Sequence, residues 1–307
     1  MSEFTIIDAH VHTYQTREIG LQAKQGSTIT NYGGTVDELL PIMEKAGISQ
    51  AVMVNMLPLA EMHKSALDQL PTGLSRSEHE QALKEINTRM LGRLVRRNEW
   101  TCNVAQENPS LVPFITLDPL QDESTMTGEI LDKVSNHGAK GIKLHPGSQR
   151  FYPNDRRLWP AYSTAQEIGL PVIFHGGRFA SPVQYARPKN FVEVLEAFPD
   201  MVLVMAHIGT GYEHEAVSLA RTYPNLQFDC SAVISRSAAN GEVPGERIAA
   251  IIRDVGVERV MFGSDFPWYD PADAAERLRR MDFSEEEKRL LFAENAIRIY
   301  KLEVASG

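Results

Sequence analysis

Asp8, His10 and His12 follow one another at intervals of two in the stretch IIDAHVHT, residues 6–13. Side chains alternate across a strand, so on a β-strand these three ionisable groups share one face while Ala9 and Val11 take the other. Further groups stand at the ends of later apolar runs: Lys143 and His145 in GIKLH, His175 in VIFH, His207 in VMAH and Asp265 in FGSD. A single histidine at a strand end is commonly hydrogen-bonded or exposed and no more. Imidazoles and a carboxylate converging from separate strands instead suit a divalent transition metal, zinc or manganese. Neutral His nitrogen and Asp oxygen bind such an ion while an open position keeps a water, whose pKa the ion lowers towards ~7. Burying several ionisable groups together without such a purpose is costly.

Convergence requires strands whose ends meet. Short β-branched-rich runs occur at 4–12, 50–56, 111–117, 139–145, 170–175, 201–207, 226–231 and 259–265. Amphipathic stretches between them carry helix-start signals. TVDE at 35–38 and NFVE at 190–193 fit capping boxes, and DPAD at 270–273 sets an Asp before a Pro at the first helical position. This alternation predicts an α/β protein, a (β/α)8 TIM barrel in which strand ends share one mouth. An open doubly wound sheet is the alternative, but its Gly-rich first turn is absent. Long connections at 13–34 and 57–110 follow strands one and two on the side of that mouth, the second with a long helix from near Ser75. Residues 284–302 open with a capping box and read as one or two closing helices. No linker or composition break divides the chain, so residues 1–307 read as a single domain.

The bulk properties narrow the partners. With 43% apolar and 23% charged residues the chain can fill a sizeable core. A formal charge of -9 argues against nucleic acid or an anionic membrane surface, leaving a small molecule as the expected partner. Cys102 and Cys230 lie far apart and form neither a disulfide framework nor a thiolate zinc site. The N-terminus runs straight into a strand without a leader, and no apolar run approaches the ~20 residues of a membrane helix. The expected location is the cytoplasm; the oligomeric state, including a homo-oligomer, is open.

The segments IDAHVHT, GIKLHP, VIFHGG, VMAHIG, VMFGSDFPW and ENAIRIY, in order from about Ile6 to Tyr300, resemble the amidohydrolase superfamily. The branch they resemble most is the amidohydrolase-2 type, related to aminocarboxymuconate-semialdehyde decarboxylase. The resemblance implies one divalent metal, zinc with manganese as the alternative, held by His10, His12, His175 and Asp265. It implies that His207 is the acid/base beside that ion, and that Asp265 is a ligand, a base, or both in turn. Asp8 either orients an imidazole or locks the strand. Lys143 has two readings. Carboxylated, it would bridge a second metal with His207 as a ligand; unmodified, as the branch favours, it is a cation suited to a substrate carboxylate. His145 contacts substrate or caps its strand.

Arg178, three residues after His175, can fork onto a carboxylate, which points to an anionic substrate. Arg150, Tyr152, Arg236 and Trp268 are weaker candidates on neighbouring loops, and Cys230, Met53, Met56, Met201 and Met205 read as packing residues. The reaction expected is metal-dependent hydrolysis of an amide, ester or lactone, since the HVH pair is intact and GIKLHP and GSDFPW resemble hydrolase members. Non-oxidative decarboxylation of an aromatic or enoic acid is the alternative. A non-catalytic barrel would be expected to lose ligands first. A nuclease would need a basic stripe that this chain lacks.

Overall fold

Eight parallel strands hydrogen-bond in sequence order: β1 (Ile6–Val11), β2 (Ile48–Met53), β3 (Leu111–Thr116), β4 (Gly141–Leu144), β5 (Val172–Phe174), β6 (Leu203–Met205), β7 (Leu226–Asp229) and β8 (Val260–Met261). The computed structural model describes residues 5–235 and 244–303. Each parallel neighbour requires a crossover, supplied by helices that include Val36–Ala46, Arg76–Glu107, Glu123–His137, Trp159–Ile168, Glu213–Thr222, Gly245–Val255 and Pro271–Arg280. The sheet closes where the amide of Ala9 donates to Phe262 O (2.9 Å), that of Asp265 to His10 O (2.9 Å) and that of His12 to Phe266 O (2.7 Å). The result is a (β/α)8 barrel, each strand shorter than its apolar run. Among the described residues no helix is long and apolar enough to cross a membrane.

Strands buried on both faces separate their apolar residues into an inner and an outer set. Ile7, Ala9, Val52, Phe114, Ile173, Val204 and Met261 form one cluster with Ala296, Ile299 and Tyr300 of the last helix. Ile6, Val11, Ile142, Phe174, Met205 and Phe228 pack in the other, among the surrounding helices. Gly141 belongs to the inner face because a Cβ there would stand 2.1 Å from the Phe114 ring, which itself meets Tyr300 edge-on at 4.8 Å.

Two expectations need correction. Strict alternation fails in β1: the register with β2 shifts between Asp8 and Val11, and Ala9 and Val11 fall in different clusters. Of the two readings of Asp8, its contacts fit the strand lock. Its Oδ1 accepts from the amides of His10 (3.2 Å) and Ser264 (2.9 Å), pinning the irregularity and tying β1 to the loop after β8. The NFVE segment forms no capping box either, because the chain enters that helix through a 3-10 turn and Glu193 instead accepts from Asn154 (2.6 Å) and Arg156. The other helix starts hold. Asp270 accepts from the amides of Ala272 (2.8 Å) and Asp273 (3.1 Å), and Ser284 and Glu287 cap each other's amides.

The connection after β1 folds a short helix, Arg17–Ala23, against the Gly33–Gly34 pair. A Cβ on Gly20 would lie 1.5 Å from Gly33 O, so the two backbones touch directly. Gly20→Ala is expected to cost about 1–3 kcal/mol through overpacking. Thermal unfolding checks this, and an unchanged midpoint would show that the contact is not needed.

Candidate metal centre

The C-terminal ends of the strands bring His10, His12, Lys143, His175, His207 and Asp265 to the floor of one cleft of about 1220 Å³, lined also by His145, Arg178 and Trp268. The hydrogen-bond network settles two tautomers. Asp229 Oδ2 lies 2.8 Å from His10 Nδ1, so this nitrogen carries the proton and Nε2 presents a lone pair. Likewise His207 Nδ1 lies 3.0 Å from the Ser231 carbonyl, which can only accept, leaving His207 Nε2 unprotonated.

Around His10 Nε2 stand His12 Nε2 at 3.2 Å, Lys143 Nζ at 3.4 Å and Asp265 Oδ1 at 3.7 Å, with that oxygen 3.5 Å from His12 Nε2. His175 Nε2 is buried without a hydrogen-bond partner. Its ring stacks on His145 at 4.1 Å and meets His207 at 4.9 Å. A lone pair fixed towards neighbouring imidazole and carboxylate donors is an arrangement that could hold a divalent metal ion, and His175 offers a further unpartnered ring nitrogen in the same cleft. His10, His12 and Asp265 form one metal-compatible group; His10, His207 and Asp229 form another. The first is the candidate, because in the second Asp229 is already committed to His10 Nδ1 and accepts from the His207 amide at 3.0 Å.

Electrostatics agree with neutral imidazoles. Burial, then the Lys143 charge, lowers the pKa of His10, and the same two influences hold His12 well below its ordinary value. Burial also lowers His207 and holds His175 well below its ordinary value. Asp229 behaves oppositely: burial raises it, but the proximity of His10, its hydrogen bond and Ser231 hold it well below the carboxylate range. Asp265 is raised, chiefly by burial. Burial lowers Lys143 to about 8, so it is largely protonated at neutral pH. His207 and Asp265 take positive φ of 59° and 66°, left-handed conformations that cost a non-glycine residue of order 1–2 kcal/mol. Their amides are pinned by Asp229 and by His10 O, so the strain is held where the chemistry is expected.

The weaker candidates divide. Trp268 meets the His12 ring edge-on at 5.3 Å and belongs to the cleft. Tyr152 meets the Tyr185 ring at a tilt, 4.9 Å away, and borders a separate depression, and Arg150 does not line the cleft. Arg236 lies outside the described residues. Met53, Met201 and Met205 are core, as is Cys230, whereas Met56 lines the cleft.

Two residues escaped the sequence reading. Asp229 ends β7 beside Cys230, at the kind of strand end that had drawn attention to the other site residues. Arg97, on the long helix Arg76–Glu107, is 9% exposed and lines the cleft. It donates to Thr13 O and lies over the rings of Tyr14 (5.4 Å) and Trp100 (4.8 Å), but its Nε is buried without a partner. Among the described residues no carboxylate pairs with it; burial lowers it only to about 10, so it stays charged.

A family model described as amidohydrolase matches residues 7–302. Solved structures with the same fold include an uncharacterized TIM-barrel protein from Bordetella bronchiseptica, 19% identical over 97% of this chain and 99% of that one, with a TM-score of 0.73. The 5-carboxyvanillate decarboxylase of Sphingomonas paucimobilis is 17% identical over 98% and 100%, with a TM-score of 0.65. A dihydroxybenzoic acid decarboxylase from Polaromonas sp. JS666, solved with manganese and 2-nitroresorcinol, is 14% identical over 98% of each chain, with a TM-score of 0.70.

Proposed function

We propose that this chain, which belongs to the amidohydrolase family, is a metal-dependent, non-oxidative decarboxylase of a small aromatic carboxylic acid. The observation that carries this reading is the pair of buried cations, Lys143 and Arg97, on a cleft whose floor holds a metal-type donor set. Neither makes an ion pair among the described residues, although Asp229 and Asp265 lie near enough to Lys143 to act on its charge, and this fits a substrate that brings the carboxylate. The decarboxylase names of two structural neighbours support this reading over the hydrolysis expected from sequence.

In this proposal His10, His12, His175 and Asp265 hold one divalent ion, with manganese or zinc matching the donors. The ion supplies Lewis acidity and a fixed point for the substrate's carboxylate. Lys143 and Arg97 neutralise the acid as it loses water, while His145 and Arg178 border it. His207, neutral with Nε2 unprotonated, accepts the proton of a ring hydroxyl and pushes electron density onto the carbon bearing the carboxylate. Asp265 relays a proton from solvent to that carbon. The C–C bond then breaks, its electron pair restores the ring, CO2 leaves, His207 returns its proton to the ring oxygen to give the phenol, and solvent resupplies the proton that Asp265 passed on. Ester or lactone hydrolysis is the second reading, favoured by the same pair, since His207 and Asp265 could equally move protons from an attacking water to a leaving group.

Incubating metal-loaded protein with hydroxybenzoates and with aryl esters and lactones separates the two. CO2 with the matching phenol supports the proposal; a newly freed acid without CO2 overturns it. Arg97→Gln is expected to raise KM about 10–100-fold with a smaller change in kcat, as for a lost charge-assisted hydrogen bond. Steady-state kinetics check it, and an unchanged KM would leave Arg97 a purely structural tie.

A further inference from the structure

The cleft is larger than a benzoate-sized substrate needs. At about 1220 Å³ it exceeds the range of ordinary small-molecule pockets, ~300–1,000 Å³. Its charge is also opposite to that of the protein: in a chain of net charge -9 it is lined by Arg89, Arg93, Arg96, Arg97, Lys143 and Arg178 against Glu61 and Asp265. Four of these arginines lie on the single helix Arg76–Glu107 at positions i, i+4, i+7 and i+8, so one face of the helix carries them all. Some exposed arginines elsewhere are paired, Arg76 with Glu80, Arg253 with Glu287 and Arg280 with Glu276, while others, such as Arg150, Arg221 and Arg247, make no ion pair among the described residues and stand apart from one another in sequence. Among the described residues Arg89, Arg93 and Arg96 make no ion pair. The row starts at the floor with Arg97, whose buried Nε has no partner. At 1.5 Å of rise per residue, Arg93 lies about 6 Å and Arg89 about 12 Å further out along the helix axis.

We propose that the substrate is an elongated dianion. One carboxylate reacts on the floor near Lys143 and Arg97, and a second carboxylate extends outward along the helix to Arg93 and Arg89. This rests on the acid-binding reading of the floor and adds a second anchoring point that determines specificity. Arginine suits the task because its planar fork grips a carboxylate through two parallel bonds, and a cleft of one sign concentrates such ligands.

The test measures binding to the manganese-loaded protein by calorimetry. The probes are two rigid dianions of different length, terephthalate and biphenyl-4,4'-dicarboxylate, and the monoanions benzoate and biphenyl-4-carboxylate. The expected result is that at least one dianion binds about tenfold or more tightly than its monoanion. In Arg89→Gln/Arg93→Gln that dianion should lose about tenfold while its monoanion loses less than about twofold. Both side chains are exposed, so the fold should tolerate the change. No dianion preference at either length, or a preference that survives the double substitution, overturns the proposal. CO2 release without a dianion preference rejects this inference alone; a dianion preference without CO2 release from any aryl acid rejects the decarboxylase reading and leaves the outer anchor standing.

Discussion

Asparagine in place of His207 is expected to lower kcat by about 10²–10⁴-fold, the usual contribution of a positioned acid/base group, while the metal content stays unchanged. Three features lead to that split. His207 Nδ1 is tied to the Ser231 carbonyl at 3.0 Å, its backbone sits at a φ of 59°, and its amide is held by Asp229, so the ring is presented with little freedom. It is also neutral, burial having lowered its pKa, as a base must be before it can accept a proton. Asparagine keeps the size and polarity but cannot take a proton at neutral pH. Elemental analysis with steady-state kinetics checks both halves. Loss of the metal would make His207 a ligand and revive a two-metal site bridged by carboxylated Lys143; full activity would remove its role.

His175→Ala is expected to do the converse, stripping the ion and all turnover with it. Losing a group that only supports a ligand typically costs 10–100-fold in metal affinity, so losing the ligand itself should exceed ~100-fold. The orphaned Nε2 motivates this prediction, because a buried ring nitrogen with no partner is expensive unless something binds it. The stacked His145 ring should hold the local packing, so the variant is expected to fold. Metal titration checks it; retained metal at wild-type affinity would show that the ion is held without His175.

The barrel and most of the residues gathered at its mouth were legible because both rest on local signals. Each strand announced itself as an apolar run, and the chemistry stood at the run's end, as His175, His207 and Asp265 do. What escaped depended on partners far away in sequence. Asp229 faces His10 across 219 positions, and nothing in FDCS distinguishes it from a strand-terminal turn residue. The irregularity between Asp8 and Val11 is a matter of register with β2, invisible to a two-residue alternation. Arg97 left a faint signal: Ile86, Met90, Leu94 and Thr101 are buried on its helix, and a charge in the middle of such a stripe needs a reason. The hydrolase expectation came from local segments whose residues serve either reaction, so sequence alone could not weigh it against decarboxylation.

The most direct measurement is the product of turnover in D2O by manganese-loaded protein supplied with hydroxybenzoates, read by mass spectrometry together with the CO2 released. The account predicts one CO2 per product and one deuterium on the ring carbon that carried the carboxylate. Hydroxybenzoates left unchanged, with no CO2 and no ring deuterium, while aryl esters or lactones supplied in parallel are cleaved to free acids, would contradict it and establish hydrolysis instead.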